Sequence, residues 1–118
     1  MHERRAALIS LFRNCPKLVV DLLARQPDSD LPPGCTAFAG DPVLGPGLVV
    51  DAVTLMKDSA GTCRLAIAVE LVDREEASRR ALWTAHARAL ELREACPSRV
   101  AVVAVTHELA AWARTTGS

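Results

Sequence analysis

Apolar residues first recur at helical spacing. Leu8, Leu11 and Phe12 lie along one stripe between His2 and Arg13, with Arg4, Arg5 and Arg13 available for the wet side. Asn14-Cys15-Pro16 interrupts that pattern, and Pro16 suits the opening of a second, short helix from Lys17 to Arg25. Residues 26–34, QPDSDLPPG, have the composition of a loop, as do residues 40–47, GDPVLGPG. Between them, Cys35 to Ala39 is a short strand candidate. Leu48 to Lys57 and Thr62 to Val72 are strongly β-branched runs separated by a turn signal, Asp58-Ser59-Ala60-Gly61, and read as a hairpin. Arg74 to Ala95 is the longest helical segment, with Leu82, Ala85, Ala89 and Leu92 as its expected seam. Arg99 to Thr106 is a nearly all-apolar strand, the pattern of one covered on both faces. His107 to Arg114 predicts a closing helix with Thr106 as its N-cap.

This order predicts an α/β domain spanning residues 1–118. Its mixed sheet combines an antiparallel hairpin with a parallel strand reached by a right-handed helical crossover, and has helices on both faces. Half of the 118 residues are hydrophobic and 24% are charged, so one domain with a real core is expected. The formal net charge is zero, which argues against a strongly basic nucleic-acid binder and against an acidic tail. Any contact with nucleic acid has to come from a local basic patch. The four cysteines, Cys15, Cys35, Cys63 and Cys96, form no C-x-x-C pair and no zinc-binding spacing, and read as reduced thiols of a cytoplasmic protein. No segment has the length and apolarity of a membrane span, so no membrane partner is expected.

Two acids interrupt the apolar hairpin strands, Asp51 in the first and Glu70 in the second. If Asp58 pairs with Cys63 around the turn, Asp51 falls directly opposite Glu70 on the same side of the sheet, with Cβ atoms about 5 Å apart. Two facing carboxylates repel, and burial raises the cost. A divalent cation offsets it, since Mg²⁺ favours one or two carboxylates plus waters. An arginine partner, a shared proton or a site open to water would also serve.

The run Leu48-Val49-Val50-Asp51-Ala52-Val53 followed by Ile67-Ala68-Val69-Glu70 resembles the PD-(D/E)xK nuclease superfamily. It is closest in character to an actinobacterial nuclease- or transposase-like group of hypothetical proteins. The same group carries segments similar to Ala7-Leu8-Ile9-Ser10-Leu11-Phe12-Arg13, to Arg79-Arg80-Ala81-Leu82-Trp83, and to Cys96-Pro97 followed by Val100 to Val105. The resemblance covers most of the chain and implies a restriction-endonuclease-like core. It also implies a Mg²⁺ or Mn²⁺ site on Asp51, Glu70 and the carbonyl of Leu71, with the two acids as catalytic residues acting on DNA phosphodiesters. The Lys or Gln that orients the attacking water in that family is replaced here by Val72, and the first helix carries no aligned acid. Asp73, Arg79 or Arg80 are the groups near enough in sequence to substitute.

Arg79 and Arg80 are the candidate phosphate contacts, although pairing with Glu75 or Glu76 on a solvated face is the commoner use of such residues. His86 follows Trp83 by about one helical turn and fits either a general base or a packing role behind a metal ligand. Trp83 and Trp112 fit core or interface anchors better than stacking platforms for bases. Two functions follow from these residues. One is a metal-dependent nuclease-like domain, impaired if Val72 is not compensated. The other is a non-catalytic module for a protein or nucleic-acid partner, such as a homodimer or a regulatory or immunity protein, on a degenerate nuclease scaffold.

Overall fold

A computed structural model describes residues 2–72 and 77–104, with side chains over 5–72 and 80–104. Helices α1 (His2–Asn14) and α2 (Pro16–Ala24) meet at Cys15, where Pro16 takes the first helical position. β1 (Thr36–Gly40) follows, then a two-stranded ribbon of β2 (Val43–Gly45) and β3 (Leu48–Val49). β4 (Ala52–Lys57), β5 (Cys63–Val72), α3 (Ala77–Glu94) and β6 (Ser98–Ala104) complete the described chain. The expected closing helix, His107 to Arg114, lies outside the described residues, as does the expected first turn of the long helix.

The main sheet has the order β1-β4-β5-β6. β1 and β5 both run antiparallel to β4, while β6 is parallel to β5 and is reached through α3. The domain is therefore α/β with a mixed sheet. β5 lies between two strands and two helical layers, so every position from Leu65 to Val72 is buried. Its alternate side chains serve different cores. Leu65, Ile67, Val69 and Leu71 pack with Phe12 and Val19 of the α1–α2 layer. Ala66 and Ala68 pack with Leu90 of α3, and Val72 with Trp83.

Several expectations change. The run Leu48 to Lys57 is not one strand. The Val50 amide bonds to Pro42 O (2.9 Å), away from β5, so the chain breaks between β3 and β4. Part of the expected loop 40–47 instead forms β2, turned by Gly47 at φ 73°. β6 is not covered throughout; among the described residues it is half-buried except at Ala101. The inward seam of α3 is Trp83, His86 and Leu90, whereas Leu82 and Leu92 are exposed. That shift of one position follows from His86, which a reading by hydropathy leaves on the wet side. In α1 the inward stripe is the buried Phe12 with the half-buried Leu8 and Ile9, and Leu11 is exposed.

Candidate functional site

The hairpin register reaches the two acids much as expected, through a different turn. Lys57 pairs with Cys63 across a bulge, and the ladder then pairs Met56 with Leu65 through to Ala52 with Val69. Asp58 closes the turn by accepting the Ala60 and Thr62 amides on Oδ1, both at 3.0 Å. Asp51 and Glu70 would be the next pair. The ladder ends irregularly instead, because the Asp51 amide donates to Val69 O at 3.1 Å, and Val69 is already the partner of Ala52.

Asp51 thus precedes β4, and its carboxylate takes the place of the next backbone acceptor along β5. Its Oδ2 accepts the Leu71 amide at 2.6 Å, a short charge-assisted bond. Arg5 Nη2 straddles both carboxylate oxygens, at 3.0 and 3.2 Å. Arg13 Nε donates to the Asp51 carbonyl at 2.7 Å. Arg5 lies two turns before the buried Phe12 on the same side of α1 and is half-buried, not on the wet side as the sequence pattern implied, whereas Arg13 stays exposed as expected. Helical spacing counted back from Phe12 is the signal that would have found Arg5. The Arg5 and Asp51 side chains keep 27% and 15% of their exposure, so the pair contributes about 1–2 kcal/mol net.

Glu70 lies on the opposite, α3-facing side of β5. Its Oε1 stands 3.0 Å from His86 Nδ1, with both side chains almost wholly removed from water. His86 reaches it because Trp83 and Leu90, on the same stripe of α3, are held in the core. The expectation that the two acids face each other on one side of the sheet is therefore not met: Asp51 stands just before β4 and is held by Arg5 of α1, while Glu70 faces His86 of α3.

Val72, at the position expected for the water-orienting residue, is 1% exposed and packed with Trp83. It offers no polar atom. Arg80 is half-buried on α3. The Arg79 side chain, Asp73, His107 and Trp112 lie outside the described residues. The Leu71 peptide presents its amide to Asp51, on the side where the resemblance implies a cation. These donors do not suit Mg²⁺ as arranged. A near-octahedral ion needs free oxygens at about 2.0–2.1 Å, whereas both Asp51 oxygens already carry N–H donors. Among the described residues no group of three or more His, Cys, Asp or Glu could hold a metal ion. No described helix is long and apolar enough to cross a membrane.

No family model, curated protein or solved structure matches the chain.

Proposed function

We propose that the chain is a protein-binding module on a nuclease-like scaffold, in which an arginine of the first helix takes the place of the catalytic cation. The observation that carries this reading is Arg5 Nη2 on both oxygens of Asp51, with the Leu71 amide on the same carboxylate. Val72 supports it, since a buried valine cannot orient water. A protein partner suits the surface better than DNA. The net charge is zero, and Arg5, Arg13, Arg93 and Arg99 all donate to groups of their own chain. The β2–β3 ribbon meanwhile presents an exposed apolar pair, Val43 opposite Val49.

A metal-dependent phosphodiesterase is the second reading. One arrangement favours it: Asp51, just before β4, and Glu70, on the adjoining β5, come next to each other in register with the Leu71 peptide beside Asp51.

Plasmid nicking and melting with millimolar Mn²⁺ separate the two. The binding module leaves supercoiled DNA intact, and its melting temperature does not respond to the ion. Arg5→Ala lowers stability by about 1–2 kcal/mol and makes the melting temperature respond to Mn²⁺, because Asp51 Oδ1 is then open while Oδ2 keeps the Leu71 amide. Nicking by the native chain that Asp51→Ala abolishes would sink the proposal.

A further inference from the structure

We propose that Cys63 and Cys96 form a reversible intramolecular disulfide when a small disulfide oxidant reaches Cys63. Their sulfurs lie 2.9 Å apart. That is inside ordinary van der Waals contact, and the two residues come from segments 33 positions apart. Neither is held in place by the sulfurs themselves. Cys63 opens β5 opposite Lys57. Cys96 follows the end of α3, where Ala95 turns the chain with φ 54°, and the Ala66 amide ties β5 to Pro97 O at 2.9 Å. Two anchored backbones that already bring the side chains together give a cross-link little to distort.

The two thiols differ in access, which orders the chemistry. Cys63 is half-exposed, while Cys96 is buried in the α3-side core. Burial, together with the neighbouring Cys63 sulfur, pushes the Cys96 thiol up to about 12 and keeps it protonated. Cys63, as thiolate, attacks one sulfur of the oxidant, forming a mixed disulfide and releasing one small thiolate. Cys96 then attacks the Cys63 sulfur, breaking the mixed disulfide bond, and its proton passes to the second small thiolate as that leaves. Two protein thiols are oxidised and one small disulfide is reduced to two thiols. The other two cysteines do not share this geometry: Cys15 is exposed, and Cys35 directs its sulfur to Pro33 O at 3.8 Å.

The closed loop contains Glu70, His86 and all of α3, so the bond fastens that helix to the sheet. The test uses the full chain, reduced and then exposed to oxidised glutathione, with remaining thiols alkylated before trypsin digestion. The expected product joins peptide 58–64 to peptide 94–99, lighter than their sum by two hydrogens. Its melting temperature rises by on the order of 10 °C, and dithiothreitol reverses the change. Cys96→Ala should instead retain glutathione on Cys63. If Cys63 and Cys96 both remain open to alkylation while Cys15 is oxidised, the proposal fails. It fails equally if Cys63 of the native chain stays glutathionylated, or if the cross-link joins two chains.

Discussion

Thr54 is wholly buried in β4, between Ala39 and Ile67 on the flanking strands, and its hydroxyl finds no hydrogen-bond partner among the described residues. A strand tolerates the β-branched shape, but a dry hydroxyl forfeits its bonds to water and costs about 1–3 kcal/mol. Thr54→Val keeps the shape and removes that cost, so urea unfolding should show a gain of about 1 kcal/mol; a loss would mean that the hydroxyl is paired. Cys96 gives a second prediction, through pH. Its thiol is raised from 9.0 to about 12, by burial first and then by Cys63, Glu94 and Glu91. The folded chain therefore holds this proton more tightly than the unfolded chain does. The associated stability is complete below about pH 9 and is lost as the pH climbs towards 12. The chain has no tyrosine to titrate in the same window. Urea midpoints for the native chain should fall more between pH 8 and 10.5 than those of Cys96→Ala, and equal slopes would remove the effect.

Among elements, α3 ends in a conformation that its sequence does not suit. Ala95 occupies the left-handed region, where helices usually place glycine, and its amide bonds to Glu91 O at 2.8 Å. The side chain costs about 1–2 kcal/mol there, and a glycine would return part of that through its freer unfolded chain. Ala95→Gly should stabilise by about 0.5–1 kcal/mol and raise the melting temperature by about 2–4 °C. The order of α1, α2, β5, α3 and β6 was legible, because each is a long run of one character, but the inward faces of α1 and α3 were not, since Leu11, Leu82 and Leu92 are apolar and yet exposed. The β2–β3 ribbon was not, since Pro and Gly dominate it and the apolar run from Leu48 onwards carries no mark of the break at Val50. The acid pair was legible as neighbours, because a turn near Asp58 holds the register within narrow limits. Of its partners, His86 was legible as a residue packed behind an acid, whereas Arg5 was not, since it reaches Asp51 from 46 positions away; nor was the contact of Cys96 with Cys63, which forms only once α3 has folded back over the sheet.

Across the whole molecule, these features divide the stability unevenly. β5 is bonded to β4 and β6 and is covered on both faces, so opening it means losing the sheet. The β2–β3 ribbon has only two strands, and its Val43 and Val49 side chains face water. It is held to the rest by Leu44, which is buried with Leu90 in the α3-side core, and by Arg93 Nη1, which donates to Asp41 O and Val43 O at 2.8 Å each. Hydrogen exchange should therefore report two levels. Amides of Ile67 to Leu71 should exchange only through global unfolding, while those of the ribbon exchange through local opening at far lower free energy. Arg93→Ala removes two bonds to the ribbon and should speed its exchange about tenfold while leaving the slowest β5 amides nearly unchanged. If both regions accelerate together, the ribbon opens with the sheet rather than on its own, and the apolar pair it carries would be presented to a partner by a rigid surface instead of a yielding one.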